Sequence, residues 1–192
     1  MRITTGKFKG RNIGMPRGIR PTQAKARKAV FDILGDIEGL AFLELFAGSG
    51  AVGLEAASRG AREVIFVENE PGVLKALALN TSVLGGSRYL IIPLDAQKAL
   101  ARLSKEGRRF DIIFLDPPYF KLKVGESGVN EESLAKKTLK TLEACDILAP
   151  NGLIIAQHSD REDLPAELGV LSLFRHYTYG STILSLYRKE NR

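Results

Sequence analysis

The sequence predicts an α/β domain: a doubly wound, mostly parallel sheet with a C-terminal antiparallel hairpin and a small N-terminal β-hairpin extension. Three observations predict it. From about residue 40, short apolar runs alternate with stretches of helical periodicity, the pattern of successive βαβ units. A glycine-rich turn, Gly48-Ser49-Gly50-Ala51-Val52-Gly53, separates the first run from the first of those helices. Two final runs flank Gly180-Ser181, a hairpin turn signal. The 192 residues read as one domain, 1–192, large enough to bury a core.

The elements follow in order. Residues 2–13 read as two short strands around Gly6 and Gly10, so 1–18 form the hairpin extension. Thr22, following Pro21, is the N-cap of an entrance helix within 20–35, where Ala26, Ala29, Val30, Ile33 and Leu34 recur at helical spacing and Gly35 is the stop. Lys25 and Lys28 fall on its polar side. Apolar runs at 41–46, 64–67, 89–94, 112–115 and 153–156 suit buried parallel strands. Helices are predicted over 51–58, 72–84, 96–105 and about 131–144, and antiparallel strands over 171–179 and 182–188. The one long irregular stretch, about 120–130, has the length of a functional lid.

Composition narrows the classes. Hydrophobic residues make up 44% and charged residues 26%, ordinary for a globular protein. No apolar run reaches the ~18–20 residues of a membrane span, and the first residues lack the apolar core of a signal peptide. Cys145 is the single cysteine and His158 and His176 are the two histidines, which argues against a metal centre or a disulfide framework. A monomer in a reducing, cytoplasmic setting is expected. The net charge of +6 is unevenly spread. Arg2, Lys7, Lys9, Arg11, Arg17, Arg20, Lys25, Arg27 and Lys28 all lie in the first 28 residues, which contain no acid. Such a concentration suits a phosphate backbone, although a charge run alone is often only a solvated face. We expect RNA contacts from Arg2, Lys7, Lys9, Arg11, Arg17, Arg20, Lys25 and Arg27.

Glycines after a strand permit a tight turn and close approach of a ligand to the backbone. Glu68, Asn69 and Glu70 follow at the end of the second strand, where an acid can accept from the hydroxyls of an adenosine ribose. Asp95-Ala96 closes the third strand, where an acid and the next N–H can read an adenine edge. Glu44 lies near the end of the first strand. This geography predicts an adenosine-containing cofactor without choosing between NAD and S-adenosylmethionine.

The reaction is chosen by Asp116-Pro117-Pro118-Tyr119, which follows a buried strand. Consecutive prolines remove two donors and stiffen the turn, leaving the Asp116 carboxylate and the Pro117 carbonyl as fixed acceptors. Two acceptors can hold both hydrogens of an exocyclic amine and turn its lone pair toward an electrophilic methyl group. Tyr119 offers a face on which an unpaired base can stack. Carbon methylation of pyrimidines would ask for a cysteine nucleophile, and Cys145 falls on a predicted helix away from this rim. No proton-donor pair suited to a nicotinamide oxidoreductase is found. His158, alone at a strand end, reads as structural, and His176 as surface or packing.

These residues resemble the RsmD-type bacterial 16S rRNA guanine-N2 methyltransferases over nearly the whole chain. The likeness runs through Arg2-Ile3, Gly6, Gly10-Arg11, Arg20-Pro21-Thr22, Ala29-Val30-Phe31-Asp32-Ile33-Leu34 and Phe46-Ala47-Gly48-Ser49-Gly50-Ala51-Val52-Gly53-Leu54-Glu55-Ala56. It continues in Asp116-Pro117-Pro118-Tyr119 and Leu186-Tyr187-Arg188. The resemblance implies a Rossmann-like seven-stranded methyltransferase fold with S-adenosylmethionine as cofactor. It implies cofactor contacts at Glu44, Phe46, Ala47, Gly48, Ser49, Gly50, Glu68, Asn69, Asp95 and Ala96, with Thr22 bordering the methionine end. The catalytic residues it implies are Asp116, Pro117, Pro118 and Tyr119, acting on a guanine of 16S rRNA in a partly or fully assembled 30S subunit. Three positions depart from the family pattern: Lys28 where an acid is usual, Ala24-Lys25 where Asp-Arg is common, and Gln157 where Glu is common. An adenine-N6 methyltransferase on DNA or RNA, and a cofactor-retaining RNA-binding assembly factor with little turnover, are the alternatives.

Overall fold

In the computed structural model, the described residues are 1–15, 24–85, 88–118 and 132–190. Helix α1 (Ala24–Leu34) precedes β1 (Ala41–Leu45), α2 (Ala51–Ser58), β2 (Glu63–Val67), α3 (Pro71–Thr81) and a single 3-10 turn at Ser82–Leu84. Then come β3 (Tyr89–Ile92), α4 (Ala96–Lys105), β4 (Phe110–Leu115), α5 (Leu134–Cys145), β5 (Leu148–Ser159), β6 (Glu167–Leu168), β7 (Leu171–Tyr179) and β8 (Thr182–Lys189). One sheet holds all eight strands in the order β3-β2-β1-β4-β5-β8-β7-β6. The first five pair in parallel and the last three antiparallel.

Order reverses at β1, with β2 on one side and β4 on the other, so the crevice beyond the carboxyl ends of those strands is the topological switch point. All five β1 residues are buried, as expected for a strand covered on both faces. One core layer joins Phe42, Phe66, Phe114 and Ile155 of the sheet to Val30 of α1, Val52 and Leu54 of α2 and Leu77 of α3. The opposite layer joins Leu43, Ile65, Ile113 and Ile154 to Leu100 and Leu103 of α4 and Leu139 and Leu142 of α5. Period-2 alternation along each strand thus feeds two separate cores.

Several expectations need correction. Eight strands replace seven, because Glu167–Leu168 adds a two-residue edge strand too short to leave a sequence period. β5 runs from Leu148, earlier than the expected 153, through Pro150-Asn151-Gly152. A bulge between Phe110 and Ile112 in the β4–β5 pairing accommodates that start. The N-terminal extension is a minimal antiparallel hairpin: the Arg2–Asn12 bridge is flanked by hydrogen bonds from Ile3 N to the Arg11 carbonyl at 3.0 Å and from Ile13 N to the Met1 carbonyl at 2.7 Å. Docking adds to its order: Ile3, Phe8 and Ile13 are buried in the first core layer.

Polar anchors fix that docking on the C-terminal half of α2. Glu55, 1% exposed, accepts from Thr4 N at 2.8 Å and Thr4 Oγ1 at 2.7 Å and pairs with Arg59 at 3.2 Å. Ser58 Oγ accepts from Phe8 N at 2.9 Å, and its carbonyl accepts from Lys7 N at 2.7 Å. Gly6, at φ +79°, is required there, since a Cβ would sit 1.8 Å from the Ser58 carbonyl oxygen. Buried Asn80 of α3 accepts from Gly14 N and donates to the carbonyls of Gly14 and Ser49, tying the extension to the glycine turn. None of the described helices is long and apolar enough to cross a membrane.

Candidate active site

At the carboxyl ends of the strands, the pairings Val67–Leu45–Leu115–Ala156 define one level across β2, β1, β4 and β5. One residue further along each chain come Glu68, Phe46, Asp116 and Gln157, at the rim of the sheet. Sequence reasoning placed the first three of these at the site and treated Gln157 only as a departure from a family pattern.

The glycine turn is built from left-handed backbone. Phe46, Gly48 and Gly50 have φ of 58°, 55° and 75°. For Phe46 that conformation is costly, and its ring packs toward the second core layer. Gly50 opens α2 without a side-chain cap. Glu44 serves instead from β1, with Oε2 accepting from Gly53 N at 2.8 Å and Oε1 from Val52 N at 3.3 Å. Two orphan N–H groups of the helix start are thereby satisfied. Gly53 is needed because a Cβ would lie 2.4 Å from the Phe66 ring and 2.7 Å from Glu44 Oε2.

Glu44 is buried, and desolvation pushes its pKa up to about 8, against the pull of the Gly53 and Val52 N–H groups and helped by the charges of Asp116 and Glu68. It is mostly neutral at pH 7. Glu68 binds the turn from the other side: Oε2 accepts from Gly48 N at 2.9 Å, and Oε1 from Asn69 N at 2.8 Å and Glu70 N at 2.9 Å. A carboxylate has about four acceptor sites, so roughly one is left for a ribose hydroxyl. Asp95 caps α4 through Lys98 N at 3.0 Å, which holds its carboxyl below the usual range. Ala96 is the first residue of that helix and is buried.

Asp116 is half-buried directly after β4, Pro117 is buried and Pro118 exposed. The turn supplies acceptors and no N–H from either proline. Tyr119, Thr22, Arg17 and Arg20, and the 120–130 stretch, lie outside the described residues.

Of the cations expected to meet RNA, Arg2, Lys7, Lys9, Arg11 and Lys25 are exposed. Lys7 and Arg11 stand over the Phe8 ring, 5.6 and 5.0 Å from its centroid. Arg27 is a correction. At 4% exposure it is a packing residue that donates to the Arg2 carbonyl at 3.0 Å and contacts Met1 Sδ. Burial lowers its pKa, with Glu55 and Glu44 pulling the other way. The helical period that put Lys25 outside puts Arg27 inside.

His158 is also structural. It is buried, with Nδ1 against the Ser159 carbonyl at 3.0 Å and Nε2 against Ser185 Oγ at 2.8 Å. Since a carbonyl only accepts, Nδ1 carries the proton and Nε2 accepts from the hydroxyl. Desolvation keeps the ring neutral. Cys145 ends α5, and no group of three metal-ligating side chains occurs among the described residues.

A doubly wound sheet with a glycine turn after β1 and Asp-Pro-Pro after β4 defines the class: a Rossmann-like methyltransferase fold. Comparison with known proteins places the chain within it. A family model described as "Conserved hypothetical protein 95" matches residues 1–188. The chain is 31% identical over 193 residues to Ribosomal RNA small subunit methyltransferase D of Escherichia coli (strain K12), covering 99% of this chain and 90% of that protein. It is 33% identical to YlbH of Bacillus subtilis (strain 168), provisionally named an rRNA methyltransferase, with 98% and 99% covered. Among solved structures, yhhF from Escherichia coli gives a TM-score of 0.81 at 30% identity, covering 100% of this chain and 99% of that one. The chain belongs to this family, the RsmD type.

Proposed function

We propose that this chain is an S-adenosylmethionine-dependent rRNA methyltransferase that modifies the exocyclic N2 amine of a guanine in 16S rRNA. The observation that carries the reading is Asp116-Pro117 at the end of β4, on the same rim as the glycine turn and Glu68. The residues present fit the cofactor. Left-handed Gly48 and Gly50 fold the tight turn that carries β1 into α2, Glu68 keeps an acceptor for a ribose hydroxyl, and Ala96 opens α4 beside Asp95. When bound, the cofactor supplies an electrophilic methyl group on a sulfonium.

The chain's own residues do the rest. An aryl amine is a poor nucleophile because its lone pair is delocalised into the ring. The Asp116 carboxylate and the Pro117 carbonyl accept its two hydrogens and direct the lone pair toward the crevice, so positioning supplies most of the rate. Positive charge that develops on the nitrogen is stabilised by Asp116. Neutral Glu44 adds no charge beside it and holds the start of α2 in place. Outside the crevice, Arg2, Lys7, Lys9 and Arg11 line the exposed side of the extension, where a phosphate backbone can be met. The substrate is RNA in a partly or fully assembled small subunit, and the setting is the cytoplasm.

The test is transfer of a labelled methyl group from S-adenosylmethionine to undermethylated 30S particles by the wild type and by Asp116→Ala. Label in 16S rRNA that disappears in the variant is expected. Full turnover by Asp116→Ala, or no transfer by the wild type, contradicts the reading. Stabilisation against heat by S-adenosylhomocysteine and not by NAD checks the cofactor separately.

A further inference from the structure

Buried polar atoms are nearly always hydrogen-bonded, so an unmet one in a site asks for a reason. Gln157 is such a case. It is 4% exposed, and its Oε1 is buried and accepts no hydrogen bond among the described residues. On β5, alternation places it on the face of Ile155, opposite Leu184 of β8, both in the first core layer. Leu115 of β4 pairs with Ala156, so Asp116 and Gln157 each follow the last pair of these two adjacent strands, at the rim. Adjacent strands are about 4.8 Å apart, within the width of one base edge.

Resting on the methyltransferase reading above, we infer that Gln157 Oε1 orients the target guanine by accepting from its ring N1–H while Asp116 and Pro117 hold the adjoining N2 amine. The Watson–Crick edge of guanine offers two neighbouring donors, N1–H and the amine, and a flipped or unpaired base is read on that edge. Three acceptors from two adjacent strands complement it. Adenine carries a ring acceptor next to its amine, which would face the Gln157 oxygen unfavourably. Gln157 is in this sense a specificity-determining residue, set on a strand where its amide is held by packing.

The experiment measures kcat and KM on undermethylated 30S particles for Gln157→Met and Gln157→Glu, with S-adenosylhomocysteine affinity and Tm measured alongside. Gln157→Met keeps size and loses the acceptor. It lowers kcat/KM by about tenfold or more, the scale of a lost hydrogen bond at the substrate, with cofactor affinity unchanged and Tm equal to or above that of the wild type. Gln157→Glu, which keeps an acceptor at the same place, recovers most of that loss. The inference is overturned if Gln157→Met loses less, if Gln157→Glu is no better than Gln157→Met, or if cofactor affinity falls in step with activity. A wild-type enzyme that leaves guanine unmodified instead removes the underlying reading.

Discussion

The two ends of helix α2 meet opposite chemistry. At its start, buried Glu44 and rim residue Glu68 hold the glycine turn, with Asp116 at the end of the neighbouring β4. At its other end, Glu55 and Ser58 hold the backbone of a basic extension. In both places a largely buried acid satisfies backbone N–H groups that the local fold leaves unpaired. The difference is what each arrangement presents outward: acidic acceptors at one end, which the proposed function assigns to a cofactor and an amine, and cations at the other. All eight residues of α2 are buried, so one rigid element joins the two.

Substitutions can separate the ends. The largest effect is expected at the rim, where Asp116→Ala should lower kcat by about 10²–10³-fold, the scale of one lost electrostatic stabiliser. RNA binding should survive, as measured by filter retention of labelled 16S rRNA; parallel loss would mean that the ends are not separable. Next come the two glycines. Gly53→Ala drives a methyl into the Phe66 ring and Glu44, and Gly6→Ala drives one into the Ser58 carbonyl. Each should cost about 1–3 kcal/mol of stability in urea unfolding. Isothermal titration should find cofactor affinity reduced by Gly53→Ala alone, and RNA affinity reduced by Gly6→Ala alone.

Smaller again is the charge effect. Replacing Lys7, Lys9 and Arg11 together by Gln should flatten the salt dependence of RNA binding by about 2 in the log–log slope, with cofactor affinity intact. An unchanged slope would move the RNA surface elsewhere. A pH series tests Glu44. Its folded pKa of about 8 exceeds the ordinary 4.5, so the folded state binds more protons than the unfolded between those values. Stability therefore falls as pH rises from about 4.5 to 8 and levels off beyond. Glu44→Gln should lower that slope in Tm against pH; an identical slope would show that Glu44 ionises normally.

Much of this was legible in the sequence because it rests on period and on glycine. The strands of the parallel half, the placing of Gly48 and Gly50, and the hairpin at Gly180 are local signals. The parts that were not legible depend on tertiary docking. Ile3, Phe8 and Ile13 gave too weak an alternation to show that the extension is pinned to the core. Glu55 could have been noticed as the lone acid in a helix of otherwise small and apolar residues. Arg27 was grouped with its basic neighbours although its position beside Ala26, Ala29 and Val30 put it on the buried stripe. Gln157 carried no motif at all; only the pairing of β4 with β5 brings it beside Asp116.

The most direct measurement is the identity of the methylated nucleoside in 16S rRNA after incubation of undermethylated 30S particles with the wild-type chain and labelled S-adenosylmethionine. Digestion and chromatography should yield N2-methylguanosine, absent when Asp116→Ala is used. N6-methyladenosine as the product, or label that persists with Asp116→Ala, would contradict the account.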